Sequence, residues 1–135
     1  GIRHCLLSRG LGDVYKRQVA NYLPARLTAL LMALAACIPF RKSKSARNLK
    51  EELRFIRRYG RMHASPNSGY PEAALAGILD CRFGGPHHYF GEYCFKPYIG
   101  NRLRPLTTTD MQQAVAVNRR AEILMVLTGI LLYLL

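Results

Sequence analysis

Acidic residues are scarce in this chain: eight Asp and Glu stand against 20 Lys and Arg, a formal charge of +12 on 135 residues. Cysteine is scarce as well. Cys5, Cys37, Cys81 and Cys94 are too few and too scattered for a disulfide framework, and Cys37, inside an apolar run, reads as a small hydrophobe. No G-x-x-x-x-G-K-[ST] run is present to cradle a nucleotide's phosphates. There is no internal repeat, no low-complexity tract and almost no strand signal, since Tyr89–Phe95 is too broken by glycine to alternate. The first residues also lack the order of charge, apolar core and small cleavage residues that marks a signal peptide.

What is abundant is apolar surface, 50% of the residues, pooled at two places with basic residues between them. That combination points to a membrane protein with basic cytoplasmic loops, ahead of a nucleic-acid-binding chain. The chain opens on Gly1, not Met, and is expected to be a piece of a longer protein. Residues 1–18, ending Gly12-Asp13-Val14-Tyr15-Lys16-Arg17-Gln18, show neither helical nor strand period. They resemble a translated sequencing-adapter read-through and are set aside as a non-native extension without defined structure. Residues 19–135 form the domain and keep a charge of +9.

Within it, Val19–Phe40 is an apolar helix interrupted by Pro24 and Arg26, long enough as a whole to cross a bilayer. Leu27–Phe40 is its charge-free part, and Arg41-Lys42 follows at once. Arg26 either snorkels to an interface or faces a polar partner. Residues 46–60 form a basic amphipathic helix with Leu49, Leu53, Ile56 and Tyr59 on one face and Gly60 as its stop. Beside a span, such a helix reads as interfacial. Nine basic residues from Arg41 to Arg61 place the 41–120 region in the cytoplasm. Pro71–Leu79 is a short helix apolar all round and hence buried. A terminal helix over about 110–135 starts from a Thr109/Gln112 capping box. The fold class is therefore mainly α, with integral membrane helices flanking a loop region rich in glycine and proline.

Three segments within 63–104 concentrate polar groups on turn-rich backbone. They are His63-Ala64-Ser65-Pro66-Asn67-Ser68-Gly69-Tyr70-Pro71-Glu72, Gly84-Gly85-Pro86-His87-His88-Tyr89-Phe90-Gly91-Glu92, and Lys96-Pro97-Tyr98-Ile99-Gly100. Loops held by a scaffold are where binding groups collect. Glu72 and Glu92 are candidates for Mg²⁺, an ion bound by one or two carboxylates plus phosphates. Lys96 and Arg104 are candidates to neutralise phosphate or acidic side chains of a substrate. His63 is a candidate general base, because an imidazole is largely neutral near pH 7 and can accept a proton. Ser65, Asn67 and Tyr89 are candidates to orient a substrate, with Tyr70 packing on it. Gly69, Gly84 and Gly85 set backbone geometry and let amides approach phosphate. A zinc site from Cys81, His87, His88 and Cys94 lacks paired ligand spacing on both sides.

Those segments, together with Asn21-Tyr22-Leu23-Pro24-Ala25-Arg26-Leu27-Thr28 and Arg104-Pro105-Leu106-Thr107, resemble in order the C-terminal region of the CobD/CbiB family, the adenosylcobinamide-phosphate synthases. The likeness covers about 19–135; His87-His88 departs from it. It implies a multi-pass cell-membrane protein of roughly twice this length, acting in cobalamin biosynthesis. The implied reaction is ATP- and Mg²⁺-dependent amide formation between aminopropanol, or its phosphate, and a propionate carboxylate of adenosylcobyric acid, with a fragment of this length inactive by itself. His63, Glu72, Glu92 and Lys96 would be catalytic, and Ser65, Asn67, Gly69, Tyr70, Gly84, Gly85, Tyr89 and Arg104 would bind substrate. Expected partners are the corrinoid, the amino alcohol and membrane lipid, with other cobalamin-pathway enzymes as further candidates and no nucleic acid. The alternative is a transport or structural membrane subunit whose basic loop docks a partner.

Overall fold

The computed structural model describes residues 12, 14–38 and 48–135. Most of the expected extension 1–18, and Arg41, Lys42, Lys44 and Arg47 of the basic run, lie outside the described residues. Four helices and one hairpin follow in order: α1 Tyr22–Ala36, α2 Leu49–Tyr59, α3 Gly69–Leu79, β1 Phe83–Tyr89, β2 Glu92–Ile99 and α4 Thr108–Leu134. The chain is mainly helical, as its apolar periods predict.

Helical turns over 14–20 run into α1 through a break at Asn21. Pro24 sets that break: it has no N–H to give the carbonyl four residues back, so it is tolerated only in a first turn. The ladder resumes with Ala25 N–H to the Asn21 carbonyl at 3.1 Å. Residues 14–18 are helical, and the Gln18 carbonyl accepts from Asn67 Nδ2 at 2.6 Å.

The core forms around α3. Ala73, Ala74, Ala76 and Gly77 leave this helix nearly smooth, so α1, α2 and β2 all pack on it. One cluster joins Ala29, Met32, Ala33 and Ala35 of α1 to Ile56, Ala74, Ile78, Val117 and Ala121. A second joins Phe55, Tyr59, Ala73, Ala76 and Ile99. Burying Ile78 and Leu79 contributes about 1.5–3 kcal/mol each.

The charge-free half of α1 is thus the half inside the bundle, whereas Val14, Val19, Tyr22 and Leu23 before it are exposed. Leu30, Leu34 and Ile38 on the same stretch stay exposed, and residues 39–40 of the expected helix lie outside the described residues. A run without charge suits a protein core as well as a bilayer, and α3 offers the small-residue surface that takes it. Val14–Ala36 remains long and apolar enough to cross a membrane, the one such helix among the described residues.

The buried face of α2 is Glu52, Phe55, Ile56 and Tyr59, with Leu53 left exposed. The helix is rotated from the expected face because the Glu52 carboxylate occupies the space that Gly77 leaves open. The face with Lys50, Arg54, Arg57 and Arg58 points outward.

The antiparallel hairpin β1–β2 contradicts the reading of 83–99 as loop. Its two-residue turn, Phe90-Gly91, has φ of +50° and +84°. Positive φ at both positions suits the right-handed twist of paired strands, but a phenylalanine hides that signal. Ile99 anchors the hairpin root in the core, and residues 86–88 and 92–96 project outward, exposed.

The cap of α4 also differs from the expected Thr109/Gln112 pair. Thr107 is the N-cap, with a reciprocal capping box to Asp110. Asp110 sits two residues before Gln112 and is the better choice, since its carboxylate also meets Arg104 through two hydrogen bonds of 2.7 Å. The same guanidinium donates to the Leu79 carbonyl at 2.5 Å and the Asp80 carbonyl at 3.2 Å, closing the C-terminus of α3. α4 then runs back along α1 in the opposite direction, with Leu124 against the cluster near Leu27 and Arg120 donating to the Ile38 carbonyl at 2.9 Å. Beyond that contact every apolar side chain from Val126 to Leu135 is more than half exposed. The exposed apolar ends, 14–23 and 126–135, leave the bundle on the same side.

The Arg104 guanidinium holds the Asp110 carboxyl well below the usual carboxylate range, with Thr107 adding hydrogen bonds. A carboxyl lowered in the folded state gives stability that is fully present above about pH 5, and the contribution fades as pH falls below the unfolded value near ~3.9. Asp110→Asn is expected to cost about 1.5–3 kcal/mol at pH 7 in denaturant melts of the full chain. The variant should also lose part of the wild-type decline between about pH 5 and pH 2. An unchanged acid slope would show that the pair does not hold these elements together.

Candidate functional site

The loop between α2 and α3 gathers most of the polar residues that the first motif proposed. Gly60 and Gly69 make this possible: a Cβ on Gly69 would strike the Gly60 carbonyl, so the end of α2 and the start of α3 touch backbone to backbone. The loop 61–68 closes over that crossing and lies along α1.

Asn67, buried, ties the loop to α1. Its Nδ2 donates to the Gln18 carbonyl at 2.6 Å and its Oδ1 accepts from Arg26 at 3.2 Å. The Arg26 guanidinium also donates to the Tyr22 carbonyl at 2.8 Å. It lies 3.3 Å from the ring centroid of Tyr22 and 4.2 Å from that of Tyr70, between two aromatic faces. Arg26 thus faces polar partners, the second of the two roles its sequence position allows. The phenol of Tyr70 is held below the ordinary tyrosine range, chiefly by a hydrogen bond from Arg61 and secondarily by the Arg26 charge, with partial burial opposing both.

His63 and Glu72 meet across the same loop, Nε2 to Oε2 at 3.5 Å, both half-buried. The Nδ1 atom accepts the Ser65 N–H at 2.9 Å, and the Ser65 and Ser68 hydroxyls lie 3.2 Å apart. An imidazole whose Nδ1 accepts a backbone N–H carries its proton on Nε2, here directed at the carboxylate. In this arrangement neither ring nitrogen offers a lone pair to a substrate amine. The His63–Glu72 pair, not His63 alone, is the group that can take a proton.

The hairpin residues form a separate group. His87, His88, Phe90, Glu92, Tyr93, Cys94 and Lys96 line an open groove on the projecting strands. His87 pairs with Cys94, Tyr89 with Glu92, and Gly85 with Lys96 across the ladder; His88 packs edge-on against Tyr93 at 5.8 Å. Gly84 and Gly85, at φ of +92° and +97°, serve a bulge in which a Cβ would strike the Pro97 carbonyl and the Tyr98 ring. That is the backbone geometry these glycines were expected to set. None of the hydrogen bonds or ion pairs among the described residues joins this groove to the 61–72 loop. The two groups of candidate catalytic residues, His63 with Glu72 and Glu92 with Lys96, are therefore not brought into contact.

Arg104 is committed elsewhere: its guanidinium is spent on Asp110 and on the carbonyls of Leu79, Asp80 and Pro105. These bonds tie together the C-terminus of α3 and the start of α4. Cys81 is fully buried, its thiol pushed up to about 11 by burial, and so inert. Among the described residues no three His, Cys, Asp or Glu side chains converge to hold a metal ion. A dedicated protein cage for Mg²⁺ is not built from Glu72 and Glu92, which sit on separate elements.

Arg61 and Glu52 escaped the sequence reading of the site. Arg61 counted as one more charge in a basic run; its nearness to an aromatic at 70 follows only from the Gly60–Gly69 crossing. Glu52 fell on the apolar face of an amphipathic helix, where pattern counting skips an acid. The small-residue run Ala73–Gly77 was the available hint that a large neighbour would lie against it.

A family model described as CobD/Cbib protein matches residues 17–118 of this chain. The chain is similar to a cobalamin biosynthesis protein CobD of Geobacter metallireducens, 44% identical over 118 residues, which covers 87% of this chain and 35% of that protein. It is also similar to CobD of Klebsiella pneumoniae, at 42% over 109 residues, 79% of this chain and 32% of the relative. CbiB of Salmonella typhimurium is 39% identical over the same shares. The chain therefore spans about a third of the length of these relatives. No solved structure matches.

The loop geometry makes a direct prediction about His63. Long-range ¹⁵N–¹H spectra of the full chain above neutral pH should show it as the Nε2–H tautomer. Glu72→Gln should leave that tautomer in place, because the Ser65 amide selects it. An Nδ1–H tautomer would rule out the pairing described.

Proposed function

The chain belongs to the CobD/CbiB family, and from that premise we propose that the protein of which it is a part forms an amide in cobalamin biosynthesis. The proposed reaction joins the amine of aminopropanol, or of its phosphate, to a propionate carboxylate of adenosylcobyric acid. A carboxylate is a poor electrophile, so the reading includes ATP, with Mg²⁺ carried on its phosphates, as the activating co-substrate. The alternative of a transport subunit gains no support from Arg26, whose charge is stacked between two tyrosines and does not line a path.

The observation that carries the proposal, beyond membership, is the His63–Glu72 pair on a loop stiffened by Asn67 and Ser65. Amide formation needs an amine that has shed its proton. Glu72 attracts the ammonium form and its carboxylate accepts the proton, while the His63 imidazole beside it keeps that carboxylate in position. Arg26 lies over the Tyr70 ring in the same loop, and in this reading Tyr70 contributes to packing against a flat corrin. Lys96 and Glu92 belong to the reading as hairpin residues that complete the site when substrate or the remainder of the protein is present. The apolar ends 14–23 and 126–135 enter the cell membrane in this reading, with the 41–120 region in the cytoplasm where the corrinoid and ATP are found.

In the full-length enzyme, Glu72→Gln and His63→Ala are each expected to lower turnover by about 10²–10⁴-fold. If the two act as a unit, the double variant should be no slower than the worse single one. Simple multiplication of the two losses, with normal membrane insertion, would separate their roles; near-wild-type complementation of cobalamin synthesis by both would remove them from the site. Glu92→Gln should cost about 10²-fold if its carboxylate meets the ion on the nucleotide. A reporter fused near Asn101 is expected to behave as cytosolic, and periplasmic activity would reverse the orientation.

A further inference from the structure

His87 and Cys94 stand opposite each other on the hairpin, and amide formation as proposed uses neither. The slip in register is confined to the stretch between Phe83 and Gly85, so the strands pair without a break from Gly85 and Lys96 out to Tyr89 and Glu92. Side chains alternate across a strand, which sorts the outer hairpin into two faces. His88, Tyr93 and Phe95 share one face, where the His88 ring meets the Tyr93 ring edge-on at 5.8 Å. His87, Glu92, Cys94 and Lys96 share the other.

Of the four residues from which the sequence could compose a zinc site, the fold leaves two in one place. Cys81 is buried at the root of the hairpin, and His88 belongs to the opposite face. Directly opposed residues hold their Cβ atoms about 4.5–5.5 Å apart. One ion can bridge that gap, with a sulfur at ~2.3 Å and an imidazole nitrogen at ~2.0 Å. His87 and Cys94 are both exposed and line the same open groove, so an ion reaches them without any opening of the fold.

We propose that His87 and Cys94 form a two-coordinate site for Cu⁺ across the hairpin. Donor type and donor number choose the ion together. A thiolate and an imidazole both suit zinc and copper. Zn²⁺ takes four ligands, and among the described residues no third His, Cys, Asp or Glu converges with this pair. Cu⁺, a soft ion with a filled d shell, is satisfied by two donors in line. Charge agrees with that choice. One thiolate neutralises Cu⁺, whereas Zn²⁺ would leave a positive charge on the face that carries Lys96, in a chain of formal charge +12. On binding, the thiol gives its proton to solvent, the S–Cu and N–Cu bonds form, and the copper stays Cu⁺.

A bound ion would clamp the two strands midway between the tip and the root, where Ile99 anchors the hairpin in the core. The inference goes beyond amide formation and needs none of it. Copper binding can fail while cobalamin synthesis persists, and the reverse.

The test uses the full chain carrying Cys5→Ser and Cys37→Ser, so that Cys94 is the accessible thiol and Cys81 stays buried. Without oxygen and with ascorbate present, this chain should withdraw a single Cu⁺ from its coloured bicinchoninate complex, and excess Zn²⁺ should not displace it. Cys94→Ser should abolish the transfer. His87→Ala should weaken it by about tenfold or more, since even groups that only support a metal ligand are worth about 10–100-fold. His88→Ala should leave it unchanged. A second readout is hydrogen exchange: Cu⁺ should slow the amides of residues 86–95, and either His87→Ala or Cys94→Ser should delete that slowing. Failure to withdraw copper overturns the proposal. So does full affinity in His87→Ala, which marks a lone thiol, and so does displacement by Zn²⁺, which marks the wrong ion.

Discussion

The structure depends on how little side chain α3 carries. Ala73, Ala74 and Ala76 are fully buried and Gly77 has no side chain at all, so α1, α2 and the root of the hairpin approach this one helix from different directions. A larger residue at these positions would separate at least one neighbour, since interiors are filled at close to crystal density and yield little to extra volume. The Glu52 carboxylate already occupies the place where a side chain at 77 would go. From this helix the two ends of the domain are set. Its N-terminus, pressed on Gly60, presents the loop with His63, Ser65 and Asn67; its C-terminus, left-handed at Asp80, is closed by Arg104.

The partners of each arginine, and not its position in the sequence, show what it holds. Arg104 sits in one of the family-like motifs and was a natural choice for holding substrate. Its donors are consumed by Asp110 and by carbonyls at the end of α3, so it keeps α3, the 101–107 segment and α4 in one arrangement. Arg26 interrupts an apolar stretch, which invites the reading that it snorkels or pairs. It does find polar partners, yet none of them carries negative charge among the described residues. Such a residue contributes rigidity through stacking and through the hydrogen bonds that join α1 to the α2–α3 loop.

Much of the helical frame was legible because it rests on local signals. Gly60 stops α2, Pro71 falls in the first turn of α3, which begins two residues earlier at Gly69, and the apolar periods mark where helices lie. The failures share a physical cause, that tertiary neighbours chose among options the local chemistry left equal. The charge-free stretch after Arg26 fits lipid or core, and the alanine surface of α3 takes up only one of its faces, that of Ala29, Met32, Ala33 and Ala35. The cap of α4 moved from Thr109 to Thr107 because Arg104 rewards a carboxylate at 110. The hairpin was invisible because Phe90 adopts a positive φ that glycine or asparagine would have announced, and because Gly84 and Gly85 sit at a bulge where they resemble a loop. For the site, the first motif was read as one group and the structure keeps it as one. The second and third motifs pair with each other as strands and stand apart from the first.

That separation bears on how the protein would work as a whole. A hairpin anchored only by its root, with His87, Glu92, Cys94 and Lys96 exposed on its strands, has few contacts to fix its outer half against the domain. The loop 61–72, by contrast, is held from three sides by α1, α2 and α3. Sites need their chemical groups on the rigid element and tolerate motion in what covers them. In the proposed amide formation the 61–72 loop is therefore the fixed half, and the hairpin is the half that closes or is completed by the rest of a protein about three times this length. The exposed apolar ends of α1 and α4 lie on the side of that fixed loop, through Gln18 and Arg26 on one helix and Leu124 on the other. A membrane or a further helical segment covering those ends would sit beside Arg26 and Tyr70.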